Sequence, residues 1–371
     1  MDLESTPDGR HPRPIRLRDR VFVPPAPRNT AVITGHPART PERLLVDVPD
    51  PRSGRSTPLA VWHYPATTGD PGRPLPPIVM VHGFRGDHHG LALLADCLPE
   101  REIYLPELPG FGHSPAFPDA THTVDHYAAA VGSALRSLGL VPVAAGERPS
   151  AVPPEGSARP VLLGHSFGSV VASRLASADP TPWAGLVLVN PICEPTLAAE
   201  GSPVERALTR LTQAYYEAAA ALPLRAGQAL LSSPAVVWFT GTLLTKTQDL
   251  QALAYLHDQH QSYFSAFDGR RTLVEAYRAS ITSSVLDHAD GLALPVLLIA
   301  GAQDELGSVA GQERLAARIG GASPEVTLEV LDGVGHLIHY ERAPEAARLV
   351  RRFTDSLAGT PGTAPTGPLP R

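Results

Sequence analysis

Val161-Leu-Leu-Gly164-His165-Ser166-Phe167-Gly168-Ser169-Val170 is the stretch that decides the fold of this chain. An apolar run enters it, a serine with glycines two positions to either side sits at its centre, and a helical pattern, Val170–Ala178, leaves it. A serine at so sharp a strand-to-helix turn is held in a strained backbone conformation. Small residues on either side let neighbouring backbone come close. The hydroxyl then projects above the strand end, and the start of the helix offers N–H groups to an anion. G-x-S-x-G alone is a weak signal in a chain with 32 glycines; the strand before it and the helix after it give it weight.

Outward from that stretch, further apolar runs recur. Leu44–Val48 and Leu59–Tyr64 are joined by a turn-rich segment and predict an antiparallel start. Ile78–Val81, Ile103–Leu105, Leu186–Val189, Val296–Ile299 and Val326–Leu331 follow. Four of the runs, counting Val161–Leu163, are continuous and without polar alternation, as expected of strands buried on both faces of a parallel sheet. Helical patterns fall between or after them, as in Val124–Leu138 and Pro344–Leu357. The alternation predicts an α/β fold with right-handed crossovers. From Cys193 to Gly291 the rhythm stops. Val204, Leu208, Leu211, Tyr215 and Leu222 keep helical spacing, and Leu250–Phe264 and Leu273–Leu286 also read as helices. This segment is expected to lie as a lid over the C-terminal edge of the sheet, where open α/β folds bind ligands.

The remaining composition sets bounds. Of the 371 residues, 43% are apolar and 18% charged, which suits a sizeable core. The net charge of −6 argues against nucleic acid as a partner. Forty prolines and 32 glycines predict long loops. Residues 1–40 are expected to form an irregular arm, 41–192 and 291–358 the core, 193–290 the helical insert and 359–371 a loose tail. The Pro-rich stretch 141–160 reads as a surface loop. Cys97 and Cys193 make neither a disulfide framework nor a zinc cluster. No stretch has the length or apolarity of a signal peptide or a bilayer span, so a cytoplasmic location is expected. The apolar run Ala235–Leu244 reads as buried packing rather than as a membrane or partner surface. Oligomeric state is not legible.

A serine hydroxyl needs a base to take its proton. Among 15 histidines, His336 is the best placed, on the glycine-flanked loop Leu331-Asp-Gly-Val-Gly335-His336 after the last strand; His339 is its main competitor. His82, His113 and His165 read as structural hydrogen-bonders. The imidazole needs a carboxylate, and Asp304, just past the strand Val296–Ile299, supplies one in the order Ser, Asp, His. Glu305 is its neighbour and alternative. Glu194 is a more remote one, Asn190 carries no charge, and Asp332 stands too close to His336. An oxyanion needs two donors: the N–H of Phe84, in the turn His82-Gly83-Phe84-Arg85-Gly86, and that of Phe167. Asp87-His88-His89 suggests a metal only weakly, since no further ligand stands at a recognisable spacing. No metal or organic cofactor is expected.

With these residues quoted, the chain resembles the α/β-hydrolase-fold superfamily. His82-Gly83-Phe84, Leu108-Pro109-Gly110-Phe111-Gly112-His113-Ser114, Gly164-His165-Ser166-Phe167-Gly168, Asp304 and Gly335-His336 match its landmarks in order, over about residues 43–357. The resemblance implies a mostly parallel eight-stranded sheet with a helical cap after the sixth strand. Glu107 stands where relatives commonly carry aspartate. A serine nucleophile sets the chain apart from the similar haloalkane dehalogenases and epoxide hydrolases. The expected activity is hydrolysis of a carboxylic ester or related acyl bond through an acyl-serine. Relatives with this triad also cleave carbon–carbon bonds in diketones, act as perhydrolases or transfer acyl groups, and a non-enzymatic ligand-binding role is a further alternative. Aromatic residues of the insert (Tyr215, Tyr216, Trp238, Phe239, Tyr255, Tyr263, Phe264 and Phe267) point to an apolar, ester-like small-molecule substrate.

Overall fold

In the computed structural model, residues 24–69, 75–142, 158–195 and 203–359 are described. The tail, most of the loop 141–160 and the first part of the arm lie outside them. Eight strands form one sheet: β1 (Glu42–Pro49), β2 (Ser56–Tyr64), β3 (Ile78–Val81), β4 (Ile103–Pro106), β5 (Val161–His165), β6 (Gly185–Val189), β7 (Val296–Gly301) and β8 (Val326–Leu331). Their spatial order is β1-β2-β4-β3-β5-β6-β7-β8. β1 pairs antiparallel with β2, and β2 with β4; every other pairing is parallel.

Strand geometry explains why the central runs are apolar throughout. Successive side chains point to opposite faces, and each face here is covered. Val79, Val81, Leu162, Leu186, Leu188, Val296 and Leu298 enter one core. Their sequence neighbours Ile78, Met80, Leu163, Val187, Val189, Leu297 and Ile299 enter the other. The edge strands differ. β1 exposes Leu45, and β8 is only half-buried until Leu331.

The helices Val124–Ser137 and Phe167–Ala178 pack against each other, and Val285–Gly291 packs on Phe167–Ala178. Ala343–Gly359 lies beside Ala92–Asp96. In the described part of the arm, Arg39 is buried, and its guanidinium donates to the carbonyl oxygens of Ala95 (2.9 Å), Leu98 (3.0 Å) and Arg101 (2.9 Å). Cys97 and Cys193 are buried free thiols; burial pushes their pKa values up to about 12 and about 11.

Between β6 and β7 the described residues form the helices Pro203–Ala221, Leu224–Leu231, Pro234–Leu244, Leu250–Tyr263 and Gly269–Thr282. The last ends earlier than its spacing predicts. Ser284 and Asp287 form a capping box that starts a separate 3-10 turn, Val285–Gly291. The apolar run expected to be buried forms Pro234–Leu244, but only Val237 and Gly241 are buried and Phe239 is 55% exposed. Its remaining side faces a cavity, described below. The insert is tied to the loop Leu108–Ser114: Gly112 N–H donates to Ala266 O (2.9 Å) and Asp268 N–H to Gly110 O (2.8 Å).

Candidate active site

Ser166 stands between β5 and the helix Phe167–Ala178 with φ 52° and ψ −123°, the strained turn that its flanking glycines predict. Both glycines are sterically required. A Cβ on Gly168 would lie 2.2 Å from Val81 O, and one on Gly164 2.4 Å from Gly168 O. The elbow is held by three hydrogen bonds. Ser166 N–H donates to Val189 O (3.1 Å), Ser169 N–H to Ser166 O (2.8 Å), and the Ser169 hydroxyl also donates to Ser166 O (2.5 Å).

His336 reaches Ser166 and Asp304 at once. Its Nε2 is 2.8 Å from Ser166 Oγ, and its Nδ1 is 2.9 and 3.0 Å from the two carboxylate oxygens of Asp304. A carboxylate only accepts, so Nδ1 carries the proton and Nε2 faces the hydroxyl as acceptor. Burial disfavours the charged ring, but the Asp304 charge and hydrogen bond outweigh it and hold the His336 pKa above its ordinary value.

The competitors go elsewhere. Glu305 pairs with Lys246, Glu194 pairs with Arg314 at 2.6 Å, and Asp332 is exposed. His339 is buried beside His165, with ring centroids 4.0 Å apart. His165 Nε2–H donates to His336 O (3.2 Å); burial and then the neighbouring His336 push its pKa to about 3, so the ring is neutral. His82 donates from Nδ1 to Gly83 O and accepts the Leu108 N–H at Nε2, both at 2.9 Å. His113 contributes its backbone N–H, to Glu107 at 2.6 Å.

The turn that carries Phe84 lies against the serine: a Cβ on Gly83 would sit 3.3 Å from Ser166 Cβ. Among the described residues, neither the Phe84 nor the Phe167 N–H has a hydrogen-bond acceptor.

Sequence reasoning missed three supporting residues. Asn190, at the end of β6 with φ 41°, donates its amide to Gly335 O (2.9 Å) and His336 O (2.8 Å) and accepts Gly301 N–H (2.7 Å). Glu341 accepts the N–H groups of Gly335 (3.1 Å) and Lys246 (2.7 Å). Arg85 bonds into the insert. Each makes at least one tertiary contact far away in sequence, and no local pattern marks it. The fold also brings Glu107 and His113 to His88, ligand-type residues that the sequence did not place beside it. Glu107 accepts from His88 Nδ1–H at 2.7 Å. Burial works against its charge, but the bonds from His88 and the His113 N–H prevail and hold its pKa at about 2. Asp87 caps the adjoining turn by accepting the His89 N–H at 2.9 Å.

Over Ser166 and His336 lies a cavity of about 930 Å³. The insert gives it Tyr216, Phe239, Phe264 and, unforeseen, Tyr277; Tyr215 and Tyr263 also line it. Tyr255 instead joins the core.

A serine elbow at the C-terminal edge of a mostly parallel eight-stranded sheet, with helices on both faces, defines the α/β-hydrolase class of protein. The chain belongs to the Alpha/beta hydrolase family, whose model matches residues 78–349. It is 34% identical over 127 residues to Lipase LipV of Mycobacterium tuberculosis, a match covering 34% of this chain and 40% of that protein. The chain thus spans less than half the length of the curated relative it matches. Among solved structures it is similar to a membrane phospholipase A described as a bacterial virulence factor (TM-score 0.60, 18% identity, 86% of this chain and 87% of that one). It is likewise similar to a thermophilic esterase from Thermogutta terrifontis (TM-score 0.59, 18% identity, 85% and 99%). At such identities these structures speak for the fold. No helix among the described residues is long and apolar enough to cross a membrane.

Proposed function

We propose that this protein is a serine hydrolase that cleaves a carboxylic ester or related acyl bond of an apolar small molecule, with Ser166, His336 and Asp304 as its catalytic triad. One observation carries the reading: His336 spans from Ser166 Oγ at 2.8 Å to Asp304 at 2.9 Å. In the first half-reaction His336 Nε2 takes the Ser166 proton as Oγ bonds to the carbonyl carbon. The carbonyl oxygen becomes an oxyanion and is held by the N–H groups of Phe84 and Phe167. The tetrahedral intermediate collapses, the alcohol leaves with the proton from His336, and an acyl-serine remains. Water then attacks with His336 again as base, and the acid and free serine are released. Asp304 keeps the ring in the right tautomer and stabilises its charge throughout.

The inserted helices act as a cap that gives the acyl or alcohol part its apolar surroundings. The lipase named among the similar proteins supports an ester substrate.

The test uses p-nitrophenyl esters of graded chain length and a fluorophosphonate label. Wild-type protein hydrolyses the esters and is labelled at Ser166. Ser166→Ala loses both while keeping its melting temperature. Turnover that survives in folded Ser166→Ala would falsify the assignment. A diketone hydrolysed in preference to every ester would move the reading to carbon–carbon cleavage.

A further inference from the structure

The turn Gly83–Gly86 is closed by Gly86 N–H donating to Gly83 O at 3.0 Å. Its third residue, Arg85, has φ 61°. Turns that demand a positive φ at this position normally take glycine or asparagine. A long side chain there costs on the order of 1 kcal/mol. The strain therefore asks for something that holds Arg85 in place.

The side chain answers it. Arg85 is 3% exposed and runs away from the sheet into the insert. Its Nε donates to Phe264 O (3.1 Å), Nη2 to Leu231 O (2.8 Å) and Nη1 to the Tyr216 hydroxyl (3.4 Å). The guanidinium also lies over the Phe264 ring, 4.6 Å from its centroid. Among the described residues no carboxylate pairs with it. Carbonyl dipoles and a ring face thus take the place of a counter-ion. The three acceptors belong to three different stretches of the insert: the helix Pro203–Ala221, the end of Leu224–Leu231, and the residue just past Leu250–Tyr263. The preceding residue, Phe84, packs its ring on Tyr216 and Tyr277, with centroids 5.8 and 6.0 Å away. Both central residues of the turn are therefore embedded in the insert, while Gly83 rests against Ser166.

We propose that Arg85 is a positioning residue that couples the seating of the cap to the oxyanion turn. The proposal rests on the acyl-transfer reading above, which makes the Phe84 N–H an oxyanion donor. With the cap seated, the Arg85 bonds offset the cost of the left-handed turn and hold the Phe84 N–H beside the serine. With those bonds broken, the turn relaxes and the donor leaves its place.

Arg85→Gly tests this directly. Glycine removes both the strain of the left-handed conformation and every bond to the cap, so nothing then holds the turn in one conformation. Three readouts are compared: kcat and KM on a short and a medium-chain p-nitrophenyl ester, and the melting temperature. The expected result is a kcat lower by about tenfold or more on both esters. KM for the short ester changes little, and the melting temperature falls by a few degrees, as expected when buried acceptors lose their donor. Arg85→Lys, which keeps the charge and can reach one acceptor, recovers part of the loss.

An R85G enzyme with wild-type kcat overturns the proposal. So does a loss of kcat that tracks a fall in melting temperature with no recovery in R85K, since that marks a plain structural staple. If R85G does not fold, R85K alone decides: wild-type kcat overturns the proposal, and a lowered kcat at unchanged melting temperature supports it. Ser166→Ala is assayed alongside. A dead S166A beside a fully active R85G removes only the coupling, whereas an active S166A removes the triad and the coupling together.

Discussion

Asn190 donates its side-chain amide to the carbonyl oxygen of His336 at 2.8 Å, from the end of β6 and across 146 positions of sequence. The same amide bonds Gly335 O, and its oxygen accepts the Gly301 N–H at the end of β7. One uncharged, fully buried residue thus fixes the His336 loop against two strand ends.

Removing it leaves buried carbonyls and an N–H without partners, a cost of about 1–3 kcal/mol. Asn190→Ala is expected to melt several degrees lower and to lose kcat on p-nitrophenyl esters, because the ring proposed to take the serine proton is no longer held. Thermal unfolding and steady-state kinetics check both. A variant with unchanged melting temperature and rate removes this role.

The pH dependence of the reaction follows from His336. In the proposed mechanism its neutral form is the base, and the Asp304 carboxylate raises its pKa above 6.5 against the opposing effect of burial. The rate constant kcat/KM is therefore expected to rise with pH through a midpoint above 6.5. Asp304→Asn removes the raising charge and favours the wrong tautomer, so kcat falls on the order of 10⁴-fold. NMR titration of its His336 then gives a lower pKa than in wild type. An acid limb centred well below 6.5 in the wild-type profile contradicts this account.

Gly168 offers a test of the elbow itself. An added Cβ would stand 2.2 Å from Val81 O and 2.5 Å from His82 O, both backbone atoms that cannot step aside alone. Gly168→Ala is expected to shift β3 against the elbow, destabilise the protein by about 1–3 kcal/mol, and lower activity with it. Unchanged stability by chemical denaturation would show that the packing is looser than this geometry requires.

Glu107 contributes to acid stability. Its folded pKa of about 2 lies below the ordinary 4.5. Its contribution is therefore complete above about pH 4.5 and is lost as pH falls toward 2. Glu107→Gln removes that titration, and its stability is expected to fall less steeply over that range. Denaturant midpoints measured across it decide; equal slopes for the two proteins count against the assignment.

The alternation of apolar runs and helical patterns was enough to foresee the sheet, since residues such as Val161–Leu163 and Leu186–Val189 have no polar face to offer water. The strand-serine-helix pattern likewise marked Ser166, and the chain order singled out Asp304 and His336 as candidates. Of the two adjacent acids, Asp304 was the one expected to face the imidazole, with Glu305 as its alternative. Asp304 does so, while Glu305 pairs with Lys246, 59 positions away. The supporting contacts of Asn190, Glu341 and Arg85 were not legible, because they form in space, and neither was the meeting of His88 with Glu107 and His113.

What the sequence by itself determined is therefore local and periodic: the strands, the elbow, and the place of the helical insert. These follow from burial patterns and backbone sterics that act over a few residues. The tertiary structure alone decided the partners, because a hydrogen bond or ion pair depends on distance in space, and only the closed chain brings those positions together. It also decided that Arg85, rather than glycine, could occupy a left-handed turn, since the bonds that offset its strain come from helices more than a hundred residues away.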